Sequence, residues 1–208
     1  MPGPGDLAGL LEALRREGRL TAVSIAAVAA VRRELFVPPA LVELAYEDVA
    51  LQLAPGATIS APSMVAVMVS AMDPAPGLRV LEVGSGSGYA AAVMAAAGFE
   101  VVGVERLPDL VPRARAAVEA AGQAARVRLE VGNGMAGWPE GAPYDRVVAS
   151  AAIDAVPQAW LDQLAPGGLV VYPESRGEEW EMLVRLERRD AGWSRQEMGP
   201  CKFVPMVR

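Results

Sequence analysis

Between residues 79 and 97 an apolar run, a glycine-rich turn and a helical pattern follow one another without a gap. Arg79-Val80-Leu81-Glu82-Val83 leads into Gly84-Ser85-Gly86-Ser87-Gly88, and Tyr89 opens the helical pattern, which stops at Gly98. A strand that turns this tightly into a helix commits the chain to a β-turn-α unit, whose helix must bury its apolar stripe on a sheet. Glycines at i, i+2 and i+4 let the backbone turn sharply and let a ligand touch the main chain. The helix N-terminus behind them favours electron-rich groups. The dinucleotide fingerprint is spaced Gly-x-Gly-x-x-Gly, so this spacing argues against a nicotinamide dehydrogenase.

The alternation continues downstream. Residues 100–104 read as a strand, 110–121 as a helix stopped by Gly122, and 126–131 as a strand. Residues 145–149, 156–164 and 169–172 read as strand, helix and strand. Strand and helix in strict succession predict a doubly wound, mostly parallel sheet. Then Trp180, Met182, Val184 and Leu186 alternate with Glu181, Arg185 and Glu187, a half-buried strand wet on one face. Residues 193–204 read as its antiparallel partner, which brings the expected α/β sheet to seven strands. Upstream, helical patterns cover 7–17 (Asp6 as cap, Gly18 as stop), 23–34, 41–46 and 62–72, the last with Pro62 in its first turn. The expected organisation is a single domain over 1–208: a helical N-terminal extension over 1–55, then a cofactor-binding and catalytic core over 56–208.

Composition removes whole classes of chemistry. The 208 residues contain no histidine and one cysteine, Cys201. Ser-His-Asp and Cys-His catalysis, an internal disulfide and ordinary zinc sites are therefore out. The formal net charge of −6 is wrong for a protein living on a phosphate backbone, so no nucleic-acid partner is expected. The most apolar stretches, 22–31 and 64–72, are too short to span a bilayer. Nothing at the N-terminus reads as a signal peptide, so no membrane partner is expected and the expected location is the cytoplasm.

Glu105 ends the strand after the glycine turn, 17 residues beyond Gly88. A carboxylate there can accept from both ribose hydroxyls of an adenosine, although it can also be a plain solvated strand end. Asn133-Gly134 follows the next strand, on the edge that faces adenine in such folds; Asn-Gly is equally a strong turn dipeptide. Glu82 before the turn, the Gly84, Gly86, Gly88 spacing and Glu105 together resemble a class I S-adenosylmethionine methyltransferase.

Further motifs make the resemblance particular. They are Thr58-Ile59-Ser60-Ala61-Pro62, the segment 79–89, Val104-Glu105-Arg106, Gly137-Trp138-Pro139-Glu140, Ala142-Pro143-Tyr144-Asp145 and Phe203-Val204-Pro205. Phe36-Val37-Pro38 and Ala45-Tyr46-Glu47-Asp48 join them, and the set runs in order from about residue 10 to 206. It resembles the protein-L-isoaspartate O-methyltransferase family. The resemblance implies methylation of the free α-carboxylate of L-isoaspartyl residues in damaged proteins, followed by collapse to a succinimide. It implies S-adenosylmethionine as cofactor and isoaspartyl proteins or peptides as partners. It makes Ser60 the active-site serine and sets Thr58, Ile59, Ser60 and Ser63 over the cofactor's methionine end. Glu105 and Arg106 would border the ribose, and Asn133 and Gly134 the adenine. A carboxylate nucleophile is already ionised near neutrality, so the missing histidine is no obstacle. Ser60 also suits an N-cap for the helix from Pro62, and both roles stay open.

The chain departs from the family pattern at four places. Asn133 stands where Asp is common, and Ser63 where His or an aromatic residue is common. Ala151-Ala152-Ile153-Asp154 and Pro173-Glu174-Ser175 replace Ala-Ala-Ala-Pro and Pro-Val-Gly. Asp154 and Glu174, if close, would repel an anionic substrate. That leaves open a relative retargeted to another carboxylate, and a cofactor-binding module without catalysis.

Overall fold

A computed structural model describes residues 6–177 and 180–207, so the first five residues of the expected extension lie outside the described residues. Its centre is a seven-stranded sheet of β3 (Arg79–Val83), β4 (Glu100–Glu105), β5 (Val127–Val131), β6 (Tyr144–Ala149), β7 (Leu164–Ser175), β8 (Glu181–Arg189) and β9 (Gly192–Cys201). The order across the sheet is β5-β4-β3-β6-β7-β8-β9. Strands β3 to β7 run parallel, and β8 and β9 join antiparallel. This is the expected doubly wound α/β architecture with its terminal antiparallel pair.

Strand β3 shows why the sheet is covered on both sides. Val80, Leu81, Glu82 and Val83 are all buried. Successive side chains point to opposite faces; Val80 joins one apolar cluster, and Leu81 and Val83 join the other. The first cluster gathers α1 (Leu7–Arg16), α2 (Ala22–Ala30), α3 (Pro62–Ala71), α4 (Tyr89–Ala96) and α5 (Leu110–Ala120). The second is built around Trp160 of α6 (Gln158–Asp162), Tyr144 and Leu164. Leu10, Leu14 and Val28 sit in the same cluster as Tyr89 and Val93, so the N-terminal helices complete the core rather than precede it.

The structure corrects several boundaries. Asp6 caps α1 by accepting from the Gly9 amide, as expected, but the helix stops at Arg16 and Glu17 is its C-cap. The pattern over 23–34 breaks into α2, ending at Ala30, and a 3₁₀ turn over Arg33–Phe36; the pattern over 41–46 is a 3₁₀ turn over Pro39–Leu44. The extension is not purely helical. β1 (Leu51–Ala54) and β2 (Ala57–Ile59) form an antiparallel hairpin, so the expected 55/56 boundary falls inside its turn. Pro55-Gly56 is the turn signal that marks it.

Strand β8 is the instructive difference. The alternating pattern placed Trp180 with the buried set and Glu181 with the wet set. Instead Trp180 is 43% exposed, while Glu181 is buried, accepting from the Phe203 amide at 3.0 Å and the Lys202 ammonium at 3.2 Å. Leu183 and Val184 are neighbours on opposite faces, yet both are buried, one in each apolar cluster. A strand with partners on both edges and layers on both faces need not alternate. Leu183→Ala is therefore expected to cost about 2–5 kcal/mol in chemical denaturation, and Trp180→Ala less than about 0.5 kcal/mol. The reverse ranking would contradict this packing.

Candidate active site

The strand order reverses at β3: the chain moves outward to β4 on one side and returns to β6 on the other. Connections leave such a pair in opposite directions, so a crevice opens beyond its carboxyl ends. The glycine turn fills that position. Gly84 and Gly86 take φ of +82° and +51°, the left-handed region where a side chain is strained. The Gly84 amide donates to the Val104 carbonyl at 2.8 Å, and the Gly88 amide to the Ser85 carbonyl at 2.7 Å.

Glu105 closes the turn against β4. Its Oε2 accepts from the Gly86 amide at 2.9 Å and its Oε1 from the Leu107 amide at 2.9 Å. The residue is 7% exposed, and it borders a cavity together with Gly84, Gly86, Arg106 and Gly134. Thr58 and the hairpin residues Gly56 and Ala57 border the same cavity, as do Ala151 after β6 and residues 204–207. The C-terminal segment is pinned there by two backbone bonds of 2.8 Å, Ala152 amide to Val204 carbonyl and Met206 amide to Ala152 carbonyl.

Six of the sequence-identified residues thus meet at one cavity: Thr58, Gly84, Gly86, Glu105, Arg106 and Gly134. The others stand around it. Ile59 is buried at 3% exposure. Gly88 caps α4, and a Cβ there would meet Val118 and Ala114 at 3.1 and 3.3 Å, so its lack of a side chain lets α5 pack. Asn133 is exposed; its Oδ1 accepts from the Met135 amide at 3.1 Å, capping a 3₁₀ turn. Ser63 donates its amide to Asp48 Oδ1 at 2.9 Å. Ser60 is half-buried and is not the N-cap of α3. Ala61 occupies that position and supplies no side-chain bond; Asp48 takes an N-terminal amide in its stead. The Ser60 hydroxyl has no hydrogen-bond partner among the described residues. Residues 56, 57, 151 and 204–207 went unread as site residues, although Phe203-Val204-Pro205 stood among the motifs.

Glu82 lies two residues before Gly84, with no measurable exposure. Ser150 Oγ donates to its Oε1 at 3.0 Å, and its Oε2 has no partner. Burial, with a smaller push from the Glu105 charge, raises its pKa from 4.5 to about 8. The site therefore holds an orphaned buried carboxyl oxygen beside a second carboxylate at the cavity's edge. Of the two, Glu105 borders the cavity and can accept from the vicinal hydroxyls of a ligand, while Glu82 lies buried behind the turn.

A Gly-x-Gly-x-Gly turn at the switch point of a doubly wound sheet, with a carboxylate at the end of the next strand, defines a class I S-adenosylmethionine-dependent methyltransferase. The family model for protein-L-isoaspartate(D-aspartate) O-methyltransferase matches residues 7–208, and the chain belongs to that family. The protein-L-isoaspartate O-methyltransferase of Hyperthermus butylicus is 45% identical over 95% of this chain and 87% of its own length. That of Gloeobacter violaceus is 42% identical over 95% and 96%. A solved protein-L-isoaspartate O-methyltransferase superposes with a TM-score of 0.85 at 29% identity, covering 97% of this chain and 66% of that one. A Plasmodium falciparum structure in complex with S-adenosyl-L-homocysteine shares the fold, with a TM-score of 0.83 at 22% identity over 99% of both chains. The activity is that of the family: S-adenosylmethionine-dependent methylation of L-isoaspartyl residues in protein repair.

The raised pKa of Glu82 makes stability depend on pH. The folded protein keeps a proton between pH 4.5 and about 8 that the unfolded chain has released. This group's contribution is full below 4.5 and is lost as pH rises through 8. Glu82→Gln stays neutral throughout. In ligand-free protein its stability advantage over the parent is expected to grow with pH by on the order of 1 kcal/mol per unit across that window. Parallel stability curves in urea would contradict it.

Proposed function

We propose that Glu105 holds the cofactor's ribose and that Ser60 orients the substrate carboxylate for methyl transfer. Thr58, Ile59 and Ser63 shape the methionine end, with Glu82 and the Gly84, Gly86, Gly88 turn behind it; Arg106, Asn133 and Gly134 shape the adenosine end. The observation that carries this reading is Glu105. Two backbone amides fix its carboxylate at the cavity border, ready to accept from further donors.

When bound, S-adenosylmethionine supplies a methyl group on an electrophilic sulfonium. The protein's task is placement. The isoaspartyl carboxylate is ionised near neutral pH, so no general base has to act. Holding an oxygen of that carboxylate in line with the methyl converts an encounter into an intramolecular displacement. With the cofactor in place, the O–CH₃ bond would form as the S–CH₃ bond breaks, and that bond's electron pair would stay on sulfur. A serine hydroxyl donating to one carboxylate oxygen fixes the direction of the other. Ser60 suits this because neither a helix cap nor another described side chain uses its hydroxyl.

The charge at Glu174 is compensated rather than free. Its Oε2 is paired with Arg176 at 2.6 Å and Arg195 at 2.8 Å, so it adds no unpaired negative charge at this edge of the sheet. The single cysteine suits a reducing compartment, in keeping with a cytoplasmic enzyme.

Glu105→Ala is expected to weaken S-adenosylhomocysteine binding about 10- to 150-fold in calorimetry, the worth of losing charged hydrogen bonds. Unchanged binding would remove the ribose role. Ser60→Ala is expected to lower kcat on an isoaspartyl peptide far more than it weakens cofactor affinity. The aspartyl twin peptide should stay inert with both proteins. Turnover on the aspartyl peptide instead would favour a retargeted enzyme.

A further inference from the structure

Arg33 is fully buried, with no measurable exposure, and no carboxylate pairs with it among the described residues. Its guanidinium donates to four carbonyls. Nη1 reaches Ala45 at 2.8 Å and Glu47 at 3.2 Å; Nη2 reaches Val49 at 2.9 Å and Ser60 at 3.0 Å. Val49 and Ser60 are the two feet of the β1–β2 hairpin, so one nitrogen ties both ends of the element that carries Thr58 to the cavity. The guanidinium also stacks over the ring of Tyr89, 5.6 Å from its centroid, and Tyr89 opens the helix behind the glycine turn. The same 45–49 stretch carries Asp48, whose Oδ1 accepts from the Ser63 amide. The four residues 60–63 are thus held at one end by Arg33, itself bonded to the 45–49 stretch, and at the other by Asp48 of that stretch.

We propose that Arg33 is a positioning residue for methyl transfer: with Asp48 it clamps the base of the hairpin and sets the direction of the Ser60 hydroxyl. It touches neither cofactor nor substrate. A buried cation that makes no salt bridge, with only the Asp48 charge acting on it through space, is an expensive way to stabilise a fold, and an apolar side chain of similar volume is often as good or better. What an apolar residue cannot do is bind four carbonyls at once, two from the 45–47 stretch and one from each foot of the hairpin. A lysine keeps the charge but has no planar fork, so it cannot hold all four in register.

This rests on the proposed role of Ser60, and a double-mutant cycle keeps the two apart. Arg33→Lys is compared with the parent, with Ser60→Ala and with the double variant. Readouts are kcat on an isoaspartyl peptide, S-adenosylhomocysteine affinity and the melting transition. The expected result is a kcat roughly 10- to 100-fold lower for Arg33→Lys, the scale of a small misplacement of a reacting group. Cofactor affinity should stay within about threefold, and the kcat effect should shrink to less than about twofold in the Ser60→Ala background, since coupled residues are not additive. A merely structural role would cost the same with or without Ser60, or would fall on cofactor affinity, and either result overturns the proposal. Normal turnover in Ser60→Ala alone would instead overturn the role of Ser60. If Arg33→Lys does not melt cooperatively, Asp48→Ala reads the other half of the clamp from an exposed position. It should lower kcat about three- to tenfold through the same misplacement, again only where Ser60 is present; an unchanged kcat overturns the clamp.

Discussion

The bond from the Gly86 amide to the Glu105 carboxylate holds the site together. It joins the turn after β3 to the end of β4, and the Leu107 amide on the other oxygen fixes the direction of the group. Gly86 can present its amide this way because it sits at φ +51°, which a side chain would strain. A carboxylate with two amide donors remains an acceptor for more, and it stands at the border of the cavity. The local geometry of one turn therefore produces both the shape of the crevice and its strongest acceptor.

The same turn rests on a second carboxyl, and the two are treated differently. Glu105 receives two amides and faces the cavity; Glu82 receives one hydroxyl and no measurable solvent. Burial then pushes Glu82 towards its neutral form, and the nearby Glu105 charge adds to that push. The interior beneath the turn is thus spared a buried, unpaired negative charge while Glu82 keeps its proton.

Most of the fold was legible because its signals are local. Short apolar runs mark the parallel strands, and helical patterns stopped by Gly98 and Gly122 mark the helices between them, without knowledge of their neighbours. Glu105 and the glycine turn were legible for the same reason: strand end and turn are fixed by sequence spacing. Burial on β8 was not legible, because it depends on what lies over each face of the sheet. Glu181 reads as a solvent-facing charge until the chain returns, twenty-two residues later, to give it the Phe203 amide. Nor could spacing foresee that residues 204–207 and the hairpin at 51–59 close on the same cavity as the glycine turn. Arg33 is the extreme case. In sequence it is one of two adjacent arginines; only the folded chain brings four carbonyls to it.

Asn133 shows how a departure from a family pattern can leave the architecture untouched. Its Oδ1 caps the 3₁₀ turn Gly134–Ala136, a task that asparagine and aspartate perform about equally well. The demanding position is the next one. A Cβ on Gly134 would lie 2.2 Å from Val83 Cγ1, and its carbonyl accepts from the Trp160 indole at 2.7 Å. The backbone of Gly134, pressed against β3 and held by a buried tryptophan, brings this loop to the cavity; the side chain before it closes the turn. A change from a charged to a neutral acceptor at 133 is therefore absorbed at an exposed cap, whereas any side chain at 134 would push the loop off the strand that carries the glycine turn.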